Sequence, residues 1–232
     1  MRTGSKFGVF LVKKYPGGSG SRTGGRPDSM VEIPHAWVIM PHEQQLWWPM
    51  TEITRFIMQR VSTPQLAAPA PDREQLERMF QCAVRAPDHG RLRPWRFVVL
   101  QGQALEALGA AFAQTQPEAD EARQQRLRSM PLRAPMIIVT IARLDWEHKK
   151  VPVWEQQVAV GIATHHIQLA AKEMGYGTMW RTGEMTEQEP VRQYLGLEDH
   201  EQVIGFLYLG TVSGEPKPAD FQSLEEIVEY RE

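Results

Sequence analysis

Three short stretches of this chain hold residues suited to gripping a charged ligand. Arg60-Val61-Ser62 places a guanidinium and a hydroxyl within one turn, and those are the fixed cationic and neutral donors that a phosphate accepts from. Arg85-Ala86-Pro87-Asp88-His89-Gly90 is followed at once by Pro94-Trp95-Arg96-Phe97-Val98-Val99-Leu100, a charged turn wedged between a helix that ends and a strand that begins. Turns held by rigid elements are where ligand chemistry concentrates, and here Arg85 and His89 are the donors while Pro87 and Pro94 fix the backbone. Trp180-Arg181-Thr182-Gly183 adds a cation, a hydroxyl and backbone donors at the end of an expected strand. Taken singly, each of these is as readily a capped turn or a surface arginine.

Several other chemistries lack their residues. No Gly-x-Gly-x-x-Gly opens a helix after a strand, and no phosphate loop ending in Gly-Lys-Ser/Thr is present. His165 and His166 are adjacent on an expected helix and point about 100° apart, so they cannot hold one ion together, and no metal site is expected. Ser62, Ser213 and Cys82 have no surroundings that mark a nucleophile. Cys82 falls on the apolar side of a helix and reads as a buried structural thiol. As the lone cysteine it excludes an internal disulfide framework and favours a reducing, cytoplasmic setting.

The elements that must position these stretches follow from periodicity. Ile53, Phe56 and Ile57 have helical spacing over Thr51–Gln59, with Arg60 at the C-terminal side. Asp72 and Gln75 form a capping pair for a helix lined by Leu76, Met79, Phe80 and Ala83, which Pro87 terminates. Arg96–Gln101 reads as a strand, and Ala104–Gln114 and Ala119–Ser129 as helices, the second mostly solvated. Met136–Ile141 is an unbroken apolar, β-branched run, as for a central strand covered on both faces. Val153–Met174 reads as a long helix whose middle is apolar all round, ended by Gly175. Gly177–Trp180 and Gln202–Leu209 are further strands, Thr186 and Glu189 a capping box for a short helix, and Leu224–Tyr230 a terminal helix. Strands and helices alternate without a strict repeat. The expected class is therefore α+β, a three-layer arrangement with a mixed β-sheet flanked by helices, and the alternative is a parallel doubly wound sheet.

Composition bounds the rest. With 232 residues and 42% hydrophobic content the chain suits one domain, or one domain with an appendage. No apolar run is long enough to span a membrane, and a net charge of −2 gives no reason to expect nucleic acid as partner. Residues 1–49 hold 7 of the 18 glycines, carry a net +3 and lack sustained periodicity, so a flexible extension is expected, with Met50 a plausible true start. Residues 50–232 are then the folded domain.

Arg60-Val61-Ser62, the Arg85–Gly90 turn, Trp180–Gly183 and Gly205-Phe206-Leu207-Tyr208-Leu209-Gly210-Thr211 occur in an order that resembles the bacterial nitroreductase family, especially its small YdjA-like members. Pro69-Ala70-Pro71 and His148–Gln156 add to the likeness, which runs from about Met50 to about Pro218. The resemblance implies a homodimer with FMN at the subunit interface, moving hydride from NAD(P)H to nitro compounds, quinones or similar small acceptors. Under it, Arg60, Val61 and Ser62 lie at the flavin phosphate, and Trp180, Arg181 and Thr182 along the ring and ribityl chain. Arg85 and His89 arrive from the other subunit. Ala170, Ala171, Lys172, Glu173, Met174 and Gly175 would lie near the nicotinamide nucleotide. Val61 departs from the family's second arginine, whereas Thr182 keeps the hydroxyl of its serine. No side chain is required as a catalyst, because the flavin carries the chemistry. An FMN oxidase or dehalogenase with another donor, and a non-catalytic flavin-binding dimer, are the alternatives.

Overall fold

The computed structural model describes residues 51–215 and 217–231, so the expectation of a flexible segment over 1–49 lies outside the described residues. The chain begins with α1 (Glu52–Met58) and the two-residue β1 (Leu66–Ala67), then α2 (Arg73–Ala83) and β2 (Trp95–Gln101). Next come α3 (Gln103–Gln114), α4 (Glu121–Ser129), β3 (Met136–Arg143) and the 21-residue α5 (Val153–Glu173). It closes with β4 (Tyr176–Arg181), α6 (Glu189–Leu195) and β5 (Glu201–Val212).

β3 is buried from Met136 to Ala142, as its apolar run requires, because helices cover both its faces. Successive side chains alternate across it. Ile137, Val139 and Ile141 pack with Leu105, Leu108 and Phe112 of α3, Leu127 of α4 and Val191 of α6. Met136 and Ile138 pack on the other side with Met79 and Ala83 of α2 and Ala163, Ile167 and Ala171 of α5. The result is three layers, with β5 at the hub: it pairs with β3 along most of its length, with β4 through Phe206–Thr211, and with β1 at Thr211–Val212. The Asp72–Gln75 capping box forms as expected, each side chain meeting the other residue's backbone amide at 2.9–3.0 Å.

The expected α+β class holds, with four departures in detail. Every strand pair among the described residues is antiparallel, which is narrower than a mixed sheet and removes the parallel doubly wound alternative. Cys82 is exposed, because α2 turns Met79 and Ala83 toward α5 and leaves Cys82 off that line. Thr186 caps nothing: its hydroxyl donates to the Gly183 carbonyl, and α6 starts at Glu189–Pro190, where the proline's fixed φ sets the first turn. The expected helix over 224–230 is a single 3₁₀ turn, Leu224–Glu226, with no buried residue to reward a longer one.

Candidate functional site

The Arg60 stretch is held against the start of β4. α1 is capped by Thr51, whose hydroxyl accepts from the Thr54 amide, and the chain turns out of the helix as the Arg60 amide donates to the Ile57 carbonyl at 3.1 Å. Three residues on, the Thr63 amide donates to the Thr178 carbonyl at 2.9 Å. Gly177 permits that approach, since a Cβ there would fall 2.8 Å from both Leu66 and Val212 and 3.2 Å from Thr63. Arg60 and Val61 are half-buried and Ser62 is exposed. From the last turn of α5, the Lys172 ammonium donates to the Phe56 carbonyl at 2.5 Å and lies 4.5 Å from the centre of the Phe56 ring. Burial, and secondly the Arg60 charge, hold the Lys172 amine below the ordinary lysine value.

At the other end of β4, strand alternation sends Trp180 and Arg181 to opposite faces. Trp180 pairs with Leu207 and turns toward α5, and its indole occupies the space above Gly205, where a Cβ would fall 2.2 Å from Nε1. Arg181 pairs with Phe206, and its guanidinium lies 5.5 Å from the Tyr208 ring centre. Burial pushes the Tyr208 hydroxyl up, opposed by the charges of Arg181 and Arg133. Trp180 Nε1 and Arg181 Nε are both buried and both lack a hydrogen-bond partner. Orphaned buried donors cost free energy and are uncommon in folded proteins; these two lie on opposite faces of β4, so no single ligand accepts from both. Thr182 and Gly183 are exposed, and the Gly183 φ of 109° ends the strand.

Arg85 and His89 are exposed on the turn between α2 and β2. The Asp88 carboxylate organises this turn by accepting from the Leu92 amide at 3.2 Å and the Arg93 amide at 2.7 Å. His89 Nδ1 lies 2.7 Å from Glu155 Oε2 in the first turn of α5. Glu155 and Lys172 are therefore useful markers along that helix: at 1.5 Å per residue they are about 25 Å apart. Within one chain, His89 and Arg60 stand near opposite ends of α5.

Of the segment 170–175, Ala170 and Ala171 are buried in the core, Lys172 and Met174 are half-buried, and Glu173 and Gly175 are exposed. Gly175 has φ 83° and follows the helix end, as expected of a cap. His165 lies 3.4 Å from Gln168 Oε1, while His166 Nδ1 donates to the Cys82 carbonyl at 3.1 Å. Among the described residues no group of three His, Cys, Asp or Glu side chains could hold a metal. Sequence reasoning missed the Glu155 partner of His89 and the Lys172 tie to Phe56, both of which join residues far apart in the chain. It also missed why Gly205 is glycine, although a glycine inside a strand is itself a sign of close approach.

The comparisons with known proteins bear on this geometry. The family model described as the nitroreductase family matches residues 57–211. YdjA of Escherichia coli strain K12, named as a candidate NAD(P)H nitroreductase, is 40% identical over 157 residues, covering 67% of this chain and 85% of YdjA. A nitroreductase-like protein from Bacillus cereus has a similar fold, with a TM-score of 0.69 at 23% identity over 80% of this chain and 98% of that one. NfnB from Sphigopyxis sp. strain HMH, described as an FMN and NADPH-dependent nitroreductase, has a TM-score of 0.64 at 19% identity over 78% of this chain and all of its own. No helix among the described residues is long and apolar enough to cross a membrane. With its fold, its matched segment and its similarity to YdjA in agreement, this chain belongs to the nitroreductase family, a family of oxidoreductases.

Proposed function

We propose that the chain is an FMN-dependent oxidoreductase that passes hydride from NAD(P)H to nitro compounds, quinones or similar small acceptors, and that it works as a homodimer. The observation that carries this reading is the buried, unpartnered Arg181 Nε at the end of β4. The residues present fit the cofactor. Arg60 and Ser62 offer a cation and a hydroxyl for a phosphate, and Arg181 at the end of β4 offers a donor for the ring's carbonyl edge. FMN, when bound, supplies a ring that accepts hydride and returns it to an acceptor. The protein's part is binding, orientation and electrostatics. Arg181 and the backbone from Trp180 to Thr182 hold the pyrimidine side and favour negative charge there, while Thr182 adds a hydroxyl. The exposed members of 170–175, Glu173 and Gly175, are the ones positioned to meet a nicotinamide nucleotide.

The separation of about 25 Å between the His89 and Arg60 ends of α5 supports a site shared between two subunits, in which Arg85 and His89 are supplied by the partner. Ile53 and Ile57 of α1 and Trp154 and Val158 of α5 are exposed apolar side chains of the kind a second copy would cover. The test is the absorbance spectrum of the purified protein, followed by anaerobic mixing with NADH and with NADPH. Bound flavin that bleaches with either supports the reading. Flavin that bleaches with neither points to an oxidase or dehalogenase using another donor, or to a non-catalytic flavin dimer. A colourless protein that takes up no added FMN refutes the proposal.

A further inference from the structure

We infer that Lys172 is the second cation of an anion pocket shared with Arg60, and that the anion is the phosphate monoester of the flavin mononucleotide. This rests on the FMN reading above and moves Lys172 away from the nicotinamide role that family likeness suggested. The two chain segments are tied at both ends, by Lys172 Nζ to the Phe56 carbonyl at 2.5 Å and by the Thr63 amide to the Thr178 carbonyl at 2.9 Å. Arg60 and Ser62 lie between those ties. Both Lys172 and Arg60 are half-buried, and no carboxylate of the described residues lies within 4.0 Å of either.

Two like charges drawn together and partly stripped of water repel one another, and the Arg60 charge indeed helps to depress the Lys172 amine. An anion between them turns that repulsion into attraction. Lys172 spends one N–H on the Phe56 carbonyl and keeps two, while Arg60 brings five donors and Ser62 a hydroxyl. A phosphate monoester, with two negative charges and three acceptor oxygens at neutral pH, matches that set. The Phe56 contact alone would make Lys172 a C-terminal cap for α1, so the test must separate the two roles.

The experiment compares FMN with riboflavin, which is the same ring and chain without the phosphate, by flavin fluorescence quenching on apo full-length protein. Wild type is expected to bind FMN more tightly than riboflavin, and to lose most of that preference at high salt. Lys172→Met keeps the apolar stem over Phe56 and is expected to weaken FMN by about 10- to 100-fold, the loss of one charge-assisted hydrogen bond, with riboflavin unchanged. Lys172→Arg is expected to retain most of the FMN affinity. Equal weakening of both flavins would make Lys172 a helix cap only, and unchanged FMN binding would overturn the inference as well. The wild-type comparison needs no variant to fold: equal, salt-insensitive affinity for the two flavins defeats the phosphate pocket while leaving flavin binding intact. Binding of neither flavin defeats both readings.

Discussion

Replacing Gly205 with alanine puts a methyl group where the indole of Trp180 already lies. The added Cβ would fall 2.2 Å from Trp180 Nε1, 2.8 Å from its Cδ1 and 2.9 Å from the Arg181 carbonyl oxygen. Comfortable carbon contacts lie near 3.5–4.0 Å, so the overlap with the ring exceeds about 1 Å. Swinging the indole aside does not clear it, because the third contact is backbone within the β4–β5 pairing. Overpacking of this kind costs about 1–3 kcal/mol, and at roughly 2–4 °C per kcal/mol for a domain of this size Tm should fall by about 2–12 °C. Gly109→Ala is the control, since its Cβ would fall 2.2 Å from the Arg128 carbonyl oxygen where α3 meets α4, on the far side of the sheet from α5. Both variants should melt early, and only Gly205→Ala should lose flavin, read as the flavin-to-protein absorbance ratio after gel filtration. Full flavin content in Gly205→Ala, or equal loss in Gly109→Ala, refutes the claim that Trp180 must sit over a bare backbone for the site to form.

Acid stability and assembly give two further tests. Glu201 is 4% exposed and is gripped by Arg96 Nε and Nη2 at 2.6–2.7 Å and by Arg143 at 3.3 Å. Burial alone would raise its carboxyl. Hydrogen bonds from Arg96, the Glu198 amide and Arg143, with the Arg96 charge, outweigh that and hold it below the ordinary carboxylate range. With its folded value below the unfolded one, its stabilisation is complete at neutral pH, begins to fade below about pH 4.3 and is lost as pH falls through the lower folded value. Glu201→Gln should cost about 3 kcal/mol at pH 7 and less at pH 4 in urea melts; an equal deficit at both would contradict the linkage. Arg60→Ala and Arg85→Ala should each lose flavin alone, and mixing them should restore at most one site per heterodimer. No recovery on mixing, or a flavin-loaded monomer by light scattering, would refute a site shared between subunits.

How far the sequence foretold this architecture depended on how local each signal was. The Asp72–Gln75 box, the β-branched run of β3 and the long α5 are written in neighbouring residues and appear where periodicity places them. Thr186 failed for the converse reason: its spacing to Glu189 matches a capping box, yet Pro190 two residues into the helix fixed a different start. Cys82 shows the limit of a helical wheel, which tells which side is apolar but not how wide the covering neighbour is. In the site, Arg60, Trp180 and Arg181 were visible as residue types at suggestive places. The facts that give them meaning were not, because the Trp180–Gly205 contact, the His89–Glu155 pair and the Lys172–Phe56 tie each close a loop that no periodicity encodes.

The placement of β5 has a consequence for how the chain comes to be folded. The strand with the most neighbours is the last to be synthesised, and it joins Leu66–Ala67 near one end of the domain to Thr211–Val212 near the other. Until it arrives, among the described strands β4 has none to pair with and β3 has only β2. A growing chain therefore carries α2, α5 and half a sheet with the Met136 and Ile138 side of its core uncapped by Leu207 and Leu209. Such non-local pairing is slow, and the exposed apolar surface must be shielded while it waits. The last dozen residues of the sheet act as the pin that locks earlier pieces into one body, so truncation before Glu201 should leave an aggregating fragment rather than a smaller domain.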